Sequence, residues 1–555
     1  MGDGTRFLHS MARRSRRQAR AARLLGPALA LGALAVLPAL SGCRVSKGDV
    51  TRWEKTERGP YKLIAVVTHD KYAPDLRVEA ALSLVRMPPR GGQRKGIGYL
   101  VDKYKDEDGE QHEGALTRLP EGARRQIVNG MAVELVRQMN IPPPPRDEKT
   151  DRSPPDPTVP YKDMAFALLT HEPTSLVSDE KTRADLIQGL ITWAQTGFED
   201  RVENSAQQYG LEQMMRFLGA PSVRKLPDLL TEKARRIDRM CALISDLGDE
   251  DTKKRAGEAL VALARTTTSP QWVARWTTIV TDSNTKNKST ATAEQVAGQV
   301  QKIQDRHLNE EIFPSMKKVG GRVIVDYLLE FAANAKNSDD RRKTALAALD
   351  GRLDKNSAAD MNAIFAIAKE ESTSDIVRDL AFQRLQEFPK DQIVLKLYTL
   401  FDQPKKWKVR WVAGDLILKT ITNPKQVPDF LKHLPTKSTT KMGMTEPLGY
   451  AQRILKMESS GDVTPHSVMA PYLDSKDFGP KMTAIGMYWE GKKADRGHLA
   501  KLENDKTPVP KCDPEDDCQW SCDAPKEPGS KEMVKKEVST IGEVVKICVI
   551  PSMEK

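Results

Sequence analysis

Four of the six cysteines lie in the last 44 residues, at Cys512, Cys518, Cys522 and Cys548, with the spacing C-x5-C-x3-C-x25-C. Thiols gathered in this way either pair as disulfides in an oxidising compartment or ligate a metal as thiolates. Structural zinc prefers tighter C-x2-C pairs, and the N-terminus, considered below, reads as an export signal. Two disulfides are therefore the expectation, with three connectivities open and zinc as the alternative. Thr540 and Glu543 have the spacing of a capping box, and Ile541, Val544, Val545 and Cys548 then share one helical face. A cysteine-rich loop stapled to a last helix would close the open end of the chain. Cys241 sits in an apolar stretch, Ile237 to Leu247, and reads as a buried free thiol.

Other chemistry is thinly supplied. The eight histidines form no His-Glu-x-x-His, and His112-Glu113 and His171-Glu172 stand as isolated pairs, so no metal site is expected. The acidic run at 102–113 has Tyr104 and Ala115 where a calcium loop needs carboxylates, and it reads as solvated charge. The glycine-rich basic stretch at 91–98 lacks the Gly-Lys-Ser/Thr ending of a phosphate loop and reads as a flexible hinge. With no Gly-x-Ser-x-Gly elbow either, no catalytic residue, no cofactor and no enzyme activity are expected. One surface candidate remains, Trp407 and Trp411 beside Lys405, Lys406 and Lys408. Taking Ala413 as inward, Val409, Leu416 and Ile417 fall near it while the two indoles point the other way. An outward pair would have the composition of a binding hot spot; the alternative is packing between neighbouring helices. Trp272 and Trp276 pose the same choice.

The elements that must position these residues repeat. A basic residue, an alanine three later and a large apolar residue four beyond that recur as Arg77/Ala80/Leu84, Arg342/Ala345/Leu349, Arg378/Ala381/Leu385, Arg410/Ala413/Ile417 and Lys481/Ala484/Tyr488. The alanines at 345, 381, 413 and 484 lie 36, 32 and 71 residues apart, the last gap holding two periods. The small alanine lets two helices approach, so each unit is a helical hairpin, and about ten such pairs fit between residues 60 and 502. Aromatic residues are only 6 % and charged residues 29 %, which suits solvated helices built on Ala and Leu. Two stretches interrupt the pattern. Residues 141–160 hold eight prolines and predict a stiff loop, with a docking motif for a proline-binding module as the alternative. Residues 281–294 are Thr, Asn, Lys and Ser without apolar period and predict a mobile loop.

The order Asp375, Val377-Arg378, Ala381, Leu385 resembles the second helix of HEAT repeats, although the period is shorter than the 40 to 47 residues usual for that class. The resemblance implies an all-α solenoid over 59–508 and a ladder of Asp and Arg between neighbouring repeats. It carries over to Asp375 and Arg378, and more loosely to Asp75/Arg77, Asp340/Arg342 and Asp477/Lys481. Arg410 departs from it, with lysines in place of the Asp.

Six arginines from Arg13 to Arg23 precede an uncharged apolar run of 17 residues, Leu24 to Leu40, in the order of a secretory signal. A membrane span needs about 20. The run ends in Leu40-Ser41-Gly42-Cys43, which resembles the lipobox of bacterial lipoproteins. The resemblance implies a signal peptide over 1–42, acylation of Cys43 and a tether over 43–58. With Arg44 rather than Asp after the cysteine, it further implies the outer membrane, facing the periplasm. Residues 1–42 hold seven Arg and one Asp, so they account for +6 of the net +11 and leave +5 on the remainder. With a Debye length of roughly 8 Å, +5 over so long a chain makes no nucleic-acid stripe. The expectation is a lipid-anchored envelope scaffold that binds protein partners, with peptidoglycan or polysaccharide binding through Trp and Lys as the alternative.

Overall fold

The alanine-centred helices pair with the amphipathic helices before them, and the pairs stack in chain order. The computed structural model describes residues 45–553 except 90–93, 107, 148–151, 204–206, 371, 402–406, 490–495, 512–518 and 528–529. Cys43, Lys405, Lys406, Cys512 and Cys518 lie outside the described residues.

A short helix α1 (Lys47–Trp53) precedes α2 (Gly59–Thr68) and α3 (Pro74–Arg86), α4 (Lys95–Val101) and α5 (Glu121–Met139), α6 (Val159–Thr170) and α7 (Glu180–Gln195). Next come α8 (Phe198–Glu203) and α9 (Leu211–Leu218), α10 (Ile237–Leu247) and α11 (Glu250–Thr267), α12 (Pro270–Lys286) and α13 (Ala293–Arg306), and α14 (Phe313–Val319). The second half holds α15 (Arg322–Ala333) with α16 (Asp339–Ala348), α17 (Ala358–Lys369) with α18 (Asp375–Leu385) and α19 (Lys390–Tyr398) with α20 (Trp407–Thr420). It ends with α21 (Val427–Leu431) and α22 (Thr445–Leu455), then α23 (Pro465–Met469) and α24 (Phe478–Met487). Second helices lean on the next second helix, α3 on α5, α16 on α18, α20 on α22 and α22 on α24. One apolar core therefore runs from Val50 to Met553, which is the all-α solenoid. Close approach depends on small residues: a Cβ added to Gly414 would lie 2.4 Å from the Tyr450 ring. No described helix is long and apolar enough to cross a membrane.

The recurring arginine closes three of the hairpins. Arg77 Nε donates to the Val67 carbonyl at 2.9 Å, Arg342 Nε to Ala332 at 2.8 Å and Arg378 Nε to Ala368 at 3.1 Å. In each case the acceptor is ten residues back and is the penultimate residue of the first helix. The spacing follows from local geometry, because five residues separate the helices and the arginine is the fourth residue of the second. A guanidinium there satisfies carbonyls that a helix C-terminus leaves open, and it sits at the negative end of the helix dipole. All three side chains are buried, and burial lowers the pKa of Arg378 against the pull of Asp375.

Arg410, in the corresponding place in α20, does not follow this pattern. It reaches forward instead, donating to Glu446 at 2.5 and 2.9 Å and to the Lys441 carbonyl at 2.6 Å. Both partners are fully buried. Burial alone would lower the Arg410 pKa, but the adjoining Glu446 carboxylate raises it on balance, which keeps the guanidinium charged.

The Asp-Arg ladder is redistributed. Asp375 accepts from Arg378 of its own helix at 3.1 Å and from Lys408 of the next pair at 3.3 Å, while Ser374 takes the N-cap position. Asp75 pairs with Lys47, Arg342 with Asp339 and Lys481 with Asp505 instead of the expected partners. Neighbouring repeats are joined by Arg322 to Asp360, Arg453 to Asp415, and Asp350, which takes Lys317 from one side and Arg384 from the other.

Several expected loops are structured. Residues 281–286 continue α12 and 293–294 begin α13, because Thr292 and Gln295 form a capping box that starts a helix in a polar sequence. In the expected tether, α1 buries Val50 and packs on α2 and α3, so this helix belongs to the stack. Of the 91–98 stretch, 91–93 lie outside the described residues; Gly96 lies in α4, where a Cβ would meet the Leu84 carbonyl at 1.9 Å, so this glycine serves close packing. The 102–113 run folds into a two-stranded hairpin, β1 (Tyr104–Lys105) with β2 (Gln111–His112). In the tail, β3 (Ser521–Pro525) pairs with β4 (Met533–Glu537), and Cys522 is bonded to Cys548. Ile541, Val544, Val545 and Cys548 are buried together, as their shared face predicts.

Arg410→Ala leaves Glu446 buried without its partner, and we expect a loss of about 3–5 kcal/mol in urea unfolding. Hydrogen bonds from Lys317 and Arg384 hold the Asp350 carboxyl down to about 2. A depressed carboxylate contributes stability above its unfolded pKa of about 3.9 and loses it as pH falls below that value. Asp350→Asn should therefore flatten the acid limb of the stability curve below about pH 4, measured by thermal melts.

Candidate protein-interaction site

In the helix α20 the two tryptophans take the packing alternative. Trp407 is 5 % exposed, and a Cβ on Gly443 would lie 3.2 Å from its ring. Trp411 is half-buried against Gly449 of α22, where a Cβ would sit 2.5 Å from Nε1. Lys408 is engaged by Asp375. Helical periodicity identifies one inward face, but a second helix in a stack is covered twice, here by α19 of its own pair and by α22 of the next. The indoles fill that second contact.

Trp272 and Trp276 are placed differently. The helices α12 and α13 bury a small core of their own, Trp272, Val280, Val296 and Val300, separate from the main core. They form an arm whose first helix has 17 residues, a length of about 25 Å. Its root is tied by Gln304 Nε2 to the Thr267 carbonyl at 2.6 Å and by Arg341 Nε to Asp305 at 2.5 Å. Its first helix carries Val273 and Ile279, 37 % and 45 % exposed, and Ile279 faces the cleft between the arm and the body.

Between α12 and the α10–α11 pair lies a cleft of about 280 Å³. Ile237, Leu263 and Ile312 line it, and the two indoles form its wall, with ring centroids 5.4 Å apart and planes 34° apart. His307 lies 6.2 Å from each ring, and its Nδ1 is 2.9 Å from the Glu311 carboxylate, whose pKa that contact lowers. At the mouth an ion pair joins Arg275 of the arm to Glu232 of the body. An apolar interior with a charged rim accepts an apolar side chain while the rim engages the polar backbone beside it. The i, i+4 spacing of Trp272 and Trp276 was the only sign of this in the sequence. The rest of the lining is drawn from residues as far apart in the chain as Ile237 and Ile312.

Asp106, Glu110 and His112 each bring a ligand atom within 4.8 Å of the others, a grouping that linear spacing did not single out. Asp106 organises the β1–β2 turn. Its Oδ1 accepts from the amides of Asp108 and Glu110 at 3.0 and 2.9 Å, and its Oδ2 lies 2.7 Å from His112 Nε2. Cys241 is buried and free, and burial pushes its thiol up to about 12, which leaves it unreactive.

No family model matches the chain. No curated protein matches it either. Among solved structures it is similar to an engineered protein, at 15 % identity and TM-score 0.21 over 79 % of this chain and 92 % of the other. It is also similar to a Kap121p mutant, at 12 % identity and TM-score 0.24, and to Kap121p bound to Pho4p, at 12 % and 0.23. These alignments cover 82 % and 81 % of this chain but only 47 % and 48 % of the Kap121p chains. Superpositions this loose add nothing to what the helix packing shows.

The two tryptophan pairs should separate cleanly in denaturation. Trp407→Ala should cost about 3–5 kcal/mol as a core truncation. Trp276→Ala, at a half-exposed wall, should stay nearer about 1 kcal/mol.

Proposed function

We propose that this protein is a lipid-anchored scaffold of the bacterial cell envelope, and that its helical-repeat surface binds a protein partner rather than catalysing a reaction. The observation that supports partner binding is the arm. A two-helix projection adds nothing to the main core, exposes Val273 and Ile279, and forms an apolar cleft with a charged rim. Such a projection costs chain order without extending the main core, which is sensible for a recognition element. The burial of Trp407 favours a protein partner over polysaccharide binding through that indole. Anchoring rests on the signal-like N-terminus and on the lipobox resemblance at Cys43, with the outer membrane and a periplasmic orientation as the site.

Two measurements test this reading. A photo-reactive residue at Ile279 in intact cells should give a recurrent protein adduct that weakens with Trp276→Ala. A chain that instead pellets with peptidoglycan and gives no protein adduct overturns it. Cys43→Ala should abolish acylation and release the mature chain from the membrane fraction. If it matures and partitions unchanged, the anchor is wrong.

A further inference from the structure

The proline run Pro142-Pro143-Pro144-Pro145 leads from the end of α5 into the long connection to α6. Proline fixes φ near −65°, which favours a polyproline II ridge with three residues per turn, so positions three apart share an edge. Exposure follows that period. Pro142 and Pro145 are exposed, whereas Pro143 and Pro144 are half-buried. Pro143 faces the body: a Cβ on Gly197 would lie 2.3 Å from its ring. Arg146, three residues on from Pro143, turns the same way and donates to Glu203 at 2.8 Å and to Ser153 at 3.3 Å.

The ridge is clamped at both ends. Arg146 and its partners hold one end. At the other, Arg201, with no solvent exposure, donates through Nη2 to the Ile141 carbonyl at 2.8 Å. Arg201 is itself fixed by Asp156 at 3.1 Å, by the Trp193 carbonyl and by the Trp193 ring, 4.2 Å from its guanidinium carbon. Asp156 also accepts from the amide and hydroxyl of Thr158, which in turn receives Trp193 Nε1 at 2.7 Å. Desolvating a guanidinium this deeply is costly, and burial lowers the Arg201 pKa to about 10. Of the five residues in this knot, Arg201, Asp156, Thr158 and Trp193 are buried side chains. Their common effect is to hold the backbone at 141 in place.

From these observations we infer that Ile141, Pro142 and Pro145 form a pre-set docking ridge for a protein with an aromatic-lined groove. Prolines offer flat apolar rings and free carbonyls at a low ordering cost, and grooves lined by aromatic side chains read that pattern. The ridge stands apart from the Trp-lined cleft. It shares with the proposed function only the premise of a protein partner.

The test places a photo-reactive residue at Ile141, 39 % exposed, in the full chain in cells, with Leu395, 75 % exposed, as the control position. The expected result is an adduct at 141 above that at 395, whose cross-linked partner peptide carries clustered Trp, Tyr or Phe. The double change Pro142→Ala and Pro145→Ala should lower its yield roughly tenfold without moving the melting temperature. Pro143→Ala, on the body-facing edge, and Trp276→Ala, in the cleft, should leave the yield unchanged. An adduct indifferent to Pro142 and Pro145, an adduct to lipid or glycan, or none above the control overturns the inference. Adducts at Ile279 with none at Ile141 overturn the ridge alone, and loss of both overturns the protein-partner reading with it.

Discussion

A buried arginine that donates to the last carbonyls of the preceding helix holds three hairpins of this solenoid together. Helix C-termini leave carbonyls unpaired, and in a stacked repeat those carbonyls face protein rather than water. Arg77, Arg342 and Arg378 resolve that problem from the same position in the second helix. Each thereby fixes the angle at which its pair closes. Arg342 also donates to Thr373 at 3.1 Å, so one clamp touches the next unit. In α20 the arginine becomes a bridge between pairs, with Glu446 and the Lys441 carbonyl as its partners.

The same chemistry serves a different purpose near α6. Asp163 accepts from Lys162 at 2.6 Å, from Arg94 at 3.1 Å and from the amides of Gln208 and Tyr209. Lys162 passes its remaining donors to the Tyr209 carbonyl at 2.5 Å and to Gln207 at 3.2 Å. Burial lowers the Lys162 pKa, against the attraction of Asp163. Irregular backbone at 207–209 is thus fixed to a helix by charge-assisted hydrogen bonds, with no regular ladder available. Buried charge thus serves the departures from the helical repeat, here and at the proline run, as it serves the regular pairs. The arm of α12 and α13 is the third departure, and it is the one held mainly by its own small core.

The spacing of Arg, Ala and a large apolar residue made the pairing legible, because a helix with one small residue in an apolar stripe has few ways to bury it. The tail helix was legible for the same reason, through Thr540 and the face of Ile541, Val544, Val545 and Cys548. Residues 281–294 misled because a polar sequence without period says nothing about a helix whose exposed sides need no apolar residue. For Trp407 and Trp411 the helical wheel left two readings open, and packing between neighbouring helices is the one adopted, because a wheel has one inside whereas a helix within a stack has two. The ladder partners shifted because a carboxylate pairs with whichever cation the neighbouring repeat brings near, and Lys408 or Lys47 does so as well as the expected residue.

Taken alone, the sequence determined the helical class, the period, the position of the arginine clamp and the proline-rich interruption, since all of these depend on residues close in the chain. The tertiary structure decided which faces are covered, which acid meets which base and how the cleft beside Trp272 and Trp276 is walled. Those outcomes depend on the packing angle between successive pairs, which is set by contacts between residues 30 to 40 positions apart or more, such as Arg410 with Glu446 and Arg275 with Glu232. Local pattern cannot encode that angle, because many sequences with the same stripe stack at different angles, and only the summed contacts select one.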